Sequence, residues 1–130
     1  DFLQENQYVF MRLRGDVTIE NNGGFIQARK ILNKNSPVIN EGIIFETRGN
    51  LNEYFIHIRT KYTILPWQYY QAKFKSKKKW QDINIKLTDF KRSGKILPKN
   101  INPNTVKSLA IVAYGKDYKA MLDIKNINFY

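Results

Sequence analysis

The sequence contains no cysteine and a single histidine, His57. Without cysteine the chain has no disulfide, no thiol nucleophile and no thiolate ligand for a metal. One histidine alone does not make a zinc site, and a serine–histidine pair would need His57 beside a serine, yet none of the serines stands in a nucleophile-elbow pattern. We therefore predict a non-catalytic protein with no catalytic residue, no metal site and no cofactor.

Long apolar runs are also missing. No stretch approaches the roughly 20 consecutive apolar residues that a membrane-spanning helix needs, so no transmembrane segment is predicted. The 130 residues suffice for one domain with its own core. Because the chain opens with Asp1 and not with methionine, we treat it as a processed form from which an upstream targeting segment could have been removed. We expect a soluble protein of the cytoplasm or the mitochondrion and leave that choice open.

Carboxylates are scarce relative to basic residues, with 11 Asp+Glu against 22 Lys+Arg and a net charge of +11. Such an excess allows an anionic partner such as nucleic acid or an acidic membrane surface. The basic residues are nevertheless scattered along the sequence. The one dense run, residues 77–79, lies at an expected turn, where charged runs are usually solvated. We therefore expect a diffuse charge and do not favour nucleic acid or membrane as a partner.

Alternation of apolar and polar side chains is abundant, whereas helical periodicity is almost absent, so an all-β domain is predicted. The predicted strands are residues 8–13, 17–20, 25–30, 42–48, 53–60, 68–75, 81–87, 108–114 and 119–130. Many short strands separated by Gly/Asn turns favour a two-sheet sandwich or jelly roll. Residues 91–104 contain two prolines and predict a long crossover, and residues 104–107 predict one helical turn.

The most informative turn is the Asn-Asn-Gly-Gly-Phe segment at residues 21–25. Two adjacent glycines after two asparagines permit positive φ at little steric cost, which predicts a hairpin between the strands on either side. Residues 48–50, 76–79 and 114–117 are also typical of strand reversals. We expect Tyr114 and Tyr118 to flank a hairpin and to pair across it.

Strand parity gives each side chain a face. In residues 53–60, Tyr54, Ile56 and Ile58 share one side and lie opposite Phe55, His57 and Arg59. If neighbouring strands are in register, the second face also gathers Gln27, Arg29, Glu46, Arg48, Tyr69, Gln71 and Lys73. Aromatic rings with arginine and glutamine suit a sugar or a partner peptide, so we hypothesise a concave binding face. The alternative is an ordinary solvated sheet face.

Two tryptophans lie beside predicted strands. Trp67 follows Pro66 at a strand entrance, and as an exposed side chain it would be a strong anchor for a partner. More often a loop tryptophan packs over the edge of the core, which is the arrangement we favour here. Trp80 begins a strand, and we expect it to be structural.

Several short blocks of the sequence form an ordered set. They are Gly15, residues 17–20, the turn at 21–25, Arg29, residues 42–45, Arg48, Gly49, residues 58–60, residues 70–72, Phe74, Trp80, Leu87, Asp89, Phe90, Ser108, Leu109 and Phe129. In this order the blocks resemble the complex I intermediate-associated protein family and cover nearly the whole chain. The resemblance implies a single galactose-binding-like β-sandwich over residues 1–130. Family members usually carry an upstream Asp-Gly and Met-Gly-Gly-x-Ser element, and the given sequence contains nothing like it.

The resemblance further implies an accessory role, because eukaryotic relatives look like assembly chaperones for respiratory complex I. We therefore expect a non-catalytic interaction module whose partner is a protein, such as a respiratory-complex subunit or another assembly factor. Because the sandwich is also similar to carbohydrate-binding modules, a module that binds carbohydrate on its concave face is the alternative. The candidate binding residues are Arg29, Arg48, Phe55, His57, Arg59, Trp67, Tyr69 and Gln71.

Overall fold

The computed structural model describes residues 2–5, 8–17, 26–32, 39–114 and 117–130. Its strands are β1 (Phe2–Glu5), β2 (Tyr8–Val17), β3 (Ile26–Ile31), β4 (Gly42–Gly49), β5 (Glu53–Thr60), β6 (Tyr70–Lys75), β7 (Gln81–Lys86), β8 (Lys91–Arg92), β9 (Val106–Ala113) and β10 (Tyr118–Phe129). Sheet A has the order β1-β2-β10-β4-β7, and sheet B has the order β3-β9-β5-β6-β8. Every described strand pair is antiparallel. The prediction of an all-β, two-sheet sandwich is confirmed.

The core lies between the sheets, on the faces that strand parity predicts. β5 alternates strictly, with Tyr54, Ile56 and Ile58 buried. Phe45 of β4 reaches across from sheet A and meets Phe74 of β6 edge-on, with ring centroids 5.2 Å apart. Burial of each such side chain contributes roughly 1.5–3 kcal/mol, so the two inner faces hold the sheets together.

Most reversals carry the chain from one sheet to the other. Consecutive described strands pair only in β1–β2 and β5–β6, whereas β4 and β5, β6 and β7, and β9 and β10 lie in opposite sheets. The expected reversals at 48–50 and 76–79 are present, but they join opposite sheets and are not hairpins. The expectation that Tyr114 and Tyr118 pair across a hairpin is wrong for the same reason. Turn chemistry specifies a change of direction and does not specify which sheet edge receives the next strand.

The turn at residues 21–25 lies outside the described residues. Residues 18–20, most of the strand predicted before the turn, also lie outside the described residues, so the hairpin stays a prediction. Of the described strands on either side, β2 pairs with β1 and β10 in sheet A, while β3 pairs with β9 in sheet B.

Irregular segments were predicted with mixed success. The expected helical turn is a 3-10 helix over Pro103–Thr105, where the Asn102 side chain accepts a hydrogen bond from the backbone N–H of Asn104 at 3.1 Å. A second short 3-10 helix, Leu87–Asp89, and the short strands β1 and β8 were not predicted. Neither 3-10 helix, nor any other helix within the described ranges, has the length and apolar character to cross a bilayer.

Candidate functional site

The outer face of sheet B forms a trough because its second strand carries small side chains. On β9 that face presents Ser108, Ala110 and Val112. β9 lies between β3 and β5, and Ala110 is in register with Arg29 on one side and with His57 on the other. The longer side chains of β3 and β5 project beyond the short side chains of β9, which form the floor. The result is an open cleft of about 710 Å³.

One wall of the cleft is an aromatic cluster tied together by an amide. The rings of His57 and Tyr69 stack with centroids 4.1 Å apart and planes 9° from parallel. Tyr114 meets His57 edge-on at 5.7 Å. Gln71 Oε1 accepts a hydrogen bond from the Tyr114 hydroxyl and lies 2.7 Å from His57 Nε2. The shared acceptor fixes both rings, which pre-organises a flat, partly apolar surface.

This aromatic wall is uncharged near neutral pH. Burial lowers the pKa of His57, and the nearby Arg29 charge lowers it further, against the opposing effect of the Gln71 hydrogen bond. Burial is also the main reason why the pKa of Tyr114 is raised to about 12. Both groups therefore offer hydrogen bonds without carrying charge.

The positive charge of the cleft comes from Arg29 and Arg59. Of the residues described along its walls and floor, none is Asp or Glu. Arg29 stands exposed on β3, the edge strand of sheet B. A cationic trough with polar aromatic walls suits a ligand that brings a carboxylate or a row of hydroxyl groups.

Arg59 has a structural role in addition to the predicted contact with a ligand. Its Nη2 donates to the carbonyl oxygens of Thr63 at 2.6 Å and of Leu65 at 3.1 Å, and its Nη1 donates to that of Pro66 at 3.1 Å. The guanidinium thus holds the chain between β5 and β6 in place and sets Pro66 at the end of the cleft. Arg59 still adds charge to the cleft while three of its hydrogen bonds go to backbone carbonyls of the protein itself.

Trp67, in the same segment, does not line the cleft. Its side chain is 68% exposed, so the favoured expectation that it packs over the edge of the core is wrong. The segment is held by the carbonyl contacts of Arg59, in which the indole takes no part.

Arg48 is the one predicted binding residue that lies on the other sheet. It belongs to β4, as does Glu46, and its Nε donates to Asp123 Oδ2 at 2.8 Å. The prediction that both share the face of His57 is wrong because the reversal after β4 passes the chain to sheet B. The Arg48 guanidinium also lies 4.6 Å from the Trp80 ring, which supports the structural role expected for that tryptophan.

Asp123 is the centre of that ion-pair cluster on sheet A. Its side chain is only 4% exposed and accepts two hydrogen bonds from Arg12, at 2.7 and 3.1 Å, besides the one from Arg48. Burial alone would raise the pKa of Asp123, but the hydrogen bonds and charges of the two arginines outweigh it and lower that pKa. The cluster is therefore structural, and its arginines are committed to a carboxylate.

The structure brings most of the predicted site residues together. Arg29, His57, Arg59 and Tyr69 line the cleft, while Gln71 and Phe55 support its aromatic wall, Phe55 through a ring contact with Tyr114 at 4.8 Å. Tyr114 and the small residues of β9 were missed. Parity could have found Tyr114, because it ends the predicted strand 108–114 and stands two positions beyond Val112, but it was interpreted as part of a reversal. Nowhere in the described ranges do three His, Asp or Glu side chains group to hold a metal ion.

Two of the solved structures that resemble this fold are carbohydrate-binding modules. One is the family 11 carbohydrate-binding module of the cellulosomal cellulase Lic26A-Cel5E of Clostridium thermocellum, and the other is a family 11 module from the same organism in complex with a β-1,3-1,4-mixed-linked tetrasaccharide. Each has a TM-score of 0.75 and 14% sequence identity, with 98% of this chain and 77% or 78% of the other chain covered. At this identity the likeness concerns the fold, which is the predicted galactose-binding-like sandwich. A comparison with curated protein sequences gives no significant match.

A family profile gives a match to the sequence itself. The profile described as complex I intermediate-associated protein 30 (CIA30) matches residues 2–124. That range contains every strand that builds the cleft and the turn at residues 21–25, so the resemblance inferred from the short sequence blocks is confirmed. The chain belongs to the complex I intermediate-associated protein 30 family.

Proposed function

We propose that this protein is a non-catalytic interaction module that acts in complex I assembly and docks a protein partner in the cleft of sheet B. Membership of the complex I intermediate-associated protein 30 family supports the assembly role. The cleft itself carries the docking proposal, because an open trough of about 710 Å³ lined by aromatic and arginine side chains is suited to anchoring a partner.

The chemistry of the walls suggests what the partner presents. The stacked His57 and Tyr69 rings offer a flat surface for an apolar or aromatic side chain. Arg29, on the opposite wall, offers a bidentate donor to a carboxylate. A partner segment with an apolar residue beside an acidic one would use both walls at once. Acidic residues alone would leave the aromatic wall unused.

The test uses a variant that fills the trough without changing its charge. Ala110 lies on the floor between Arg29 and His57, so Ala110→Leu places extra carbon atoms where a partner side chain would sit. We expect affinity capture followed by quantitative mass spectrometry to enrich complex I subunits or assembly factors with the wild-type protein, and to lose them with Ala110→Leu. The control is Leu51→Ser, which changes an exposed side chain in the turn between β4 and β5.

Two outcomes would end the docking proposal. One is the absence of any complex I component from the wild-type capture. The other is equal capture by wild type and by a folded Ala110→Leu variant, whose folding is checked by its melting temperature.

Carbohydrate binding is the second candidate, and the open aromatic trough together with the likeness to family 11 modules favours it. A flat ring stack with nearby hydrogen-bond donors is suited to a sugar face. Titration calorimetry with a β-1,3-1,4-mixed-linked tetrasaccharide tests it, and Tyr69→Ala should abolish any heat of binding. No heat at millimolar sugar excludes this candidate. If the sugar binds and also displaces the captured protein, the two ligands compete for the same cleft.

A further inference from the structure

The loop between β5 and β6, residues 61–69, presents a group of large apolar side chains to solvent. Ile64 and Trp67 are 81% and 68% exposed, and Tyr62 and Leu65 are 44% and 42% exposed. Single exposed apolar side chains are ordinary on a protein surface, but four within six residues make a patch. The cleft does not use this patch, because among the described residues of the 61–69 loop only Pro66 and Tyr69 line the cleft.

The 61–69 loop is held in this shape by polar contacts directed inward. Besides the three carbonyl contacts of Arg59, the backbone N–H of Leu65 donates to Gln68 Oε1 at 2.9 Å and that of Gln68 donates to the Leu65 carbonyl at 3.0 Å. The Thr63 hydroxyl donates to the Thr60 carbonyl at 2.8 Å. In an apolar medium each unsatisfied backbone group costs several kcal/mol, so these contacts remove a main obstacle to the loop entering such a medium.

Two lysines, Lys61 and Lys107, lie beside the apolar patch. Lys61 Nζ lies 5.2 Å from the centroid of the Tyr62 ring. Lys61 and Lys107 line a shallow depression together with Ile64 and with Ile31, which is 74% exposed. Basic side chains and exposed apolar side chains therefore share one surface at this end of the sandwich.

Carboxylates are absent from two chain segments, the one that contains the 61–69 loop and one that packs beside it. Residues 54–81, which include the 61–69 loop, contain no Asp or Glu, and neither do residues 90–116. The second segment is joined to the loop region, since the N–H of Lys61 donates to the Thr105 carbonyl at 2.9 Å and the N–H of Tyr69 donates to Ser93 Oγ at 3.0 Å. The chain segments that form the 61–69 loop and pack beside it therefore carry no carboxylate, although Glu41 and Asp89 are exposed elsewhere at the same end of the sandwich.

We propose that the 61–69 loop docks the protein on the surface of an anionic lipid bilayer. Ile64, Leu65 and Trp67 enter the interfacial layer, where tryptophan is especially favourable. Lys61 and Lys107 contact the lipid phosphates, and each basic residue near such a surface adds to the attraction. Exposed apolar side chains with lysines beside them are the combination that binds a membrane peripherally without spanning it.

Vesicle co-sedimentation tests the proposal with the whole chain. The probes are phosphatidylcholine vesicles and phosphatidylcholine vesicles that contain phosphatidylserine. We expect binding to the second kind and a weakening as salt is added, because the lysine contribution is screened. No binding to phosphatidylserine vesicles at low salt, or equal binding to both kinds, overturns the proposal. If the protein does not bind phosphatidylserine vesicles, the apolar loop would instead be a surface for a protein partner.

The apolar contribution has a matched control. The double variant Ile64→Ser with Trp67→Ser should lower the partition coefficient at least tenfold, since it removes two inserted side chains. Leu51→Ser removes another exposed apolar side chain, but Leu51 precedes β5 whereas the loop follows it, about 23 Å away along the strand. Leu51→Ser should bind like the wild type. An equal loss in both variants overturns the proposal.

The charge contribution has a matched control as well. Lys61→Gln with Lys107→Gln should lower the partition coefficient on the order of tenfold or more. Lys77→Gln with Lys78→Gln makes the same change in net charge after β6, at the Leu51 end of the molecule, and should have a much smaller effect. Equal losses would mean that only the net charge matters, which overturns the assignment to the loop.

Trp67 reports its own insertion. Brominated lipids should quench the fluorescence of the wild type on phosphatidylserine vesicles, and Trp67→Phe, which keeps an aromatic ring, should still bind while losing most of that quenching. Bound protein with no difference in quenching between these two overturns the proposal. Ala110→Leu should leave vesicle binding unchanged, so that failure here and failure of the cleft proposal are separate results.

Discussion

Replacing Arg59 by lysine separates two roles of a cation in the cleft, ligand contact and loop anchor. Lysine keeps the positive charge. It carries a single ammonium in place of the planar fork of donors, so it cannot reach the carbonyls of Thr63, Leu65 and Pro66 together. The structure therefore predicts that Arg59→Lys loosens the 61–69 loop even though the charge of the cleft is unchanged.

The size of the effect follows from the exposure of the three bonds. A buried hydrogen bond from a charged donor contributes about 1.5–3 kcal/mol. Only the bond to Thr63 is partly buried, and the other two are exposed and are worth less. If lysine keeps one of the three hydrogen bonds, the free energy of unfolding falls by about 1–2 kcal/mol. With an unfolding entropy of about 2.1 cal/mol/K per residue, the melting temperature falls by about 5 °C.

Hydrogen–deuterium exchange of the amides in residues 62–68 measures the loosening directly. Exchange through local opening should be about tenfold faster in Arg59→Lys than in the wild type. The matched control is Arg29→Lys, the same replacement on the opposite wall of the cleft, which should leave exchange in the loop unchanged. Unchanged exchange and an unchanged melting temperature in Arg59→Lys would refute the anchoring role.

Three further predictions concern stability. Asp123→Asn removes the countercharge of two arginines that are only 24% and 22% exposed, so urea denaturation should show a loss of about 2–3 kcal/mol at neutral pH. Because the pKa of Asp123 is lowered in the folded state, this loss is complete above the unfolded-chain pKa of about 3.9 and disappears as the pH falls through the folded-state value. Gly49→Ala places a Cβ 2.3 Å from the Met121 carbonyl oxygen and should cost about 2 kcal/mol or more, whereas Gly94→Ala meets nothing within 4 Å and should stay within about 0.5 kcal/mol, both measured by thermal melting. The pKa of His57 is also lowered on folding, so the wild type should lose stability as the pH falls below about 6.5, and His57→Gln should flatten that part of the profile in denaturation curves across pH.

Local alternation was sufficient to predict the faces of the strands. Tyr54, Ile56 and Ile58 are buried and His57 lies on the opposite face, as parity requires, because a strand turns successive side chains to opposite sides whatever its neighbours are. The same argument placed Tyr69 and Gln71 beside His57. Much of the cleft wall could therefore be predicted from sequence.

Membership of a sheet could not be predicted in this way. Arg48 has the parity expected of an outward-facing residue, but it lies on sheet A, because a reversal after β4 is equally compatible with a hairpin and with a passage to the other sheet. The choice depends on the packing of distant segments such as β9 and β10. That packing depends on the whole chain, so the sequence of a three-residue turn does not indicate which sheet the next strand joins.

The anchoring of the 61–69 loop was also beyond sequence reasoning. Arg59 binds backbone carbonyls four, six and seven residues further along the chain, and such contacts follow no period. The exposure of Trp67 and the three carbonyl contacts of Arg59 are both visible only in the structure.

The central claim is that the outer face of sheet B is the docking face. Hydroxyl-radical footprinting of the protein, free and in the complex recovered by affinity capture, tests this most directly, because it reports the exposure of individual side chains. We predict that Tyr69 and Tyr114 lose reactivity in the complex while Trp80 on sheet A keeps its own. Protection of Trp80 with unchanged reactivity of the two tyrosines would contradict the account.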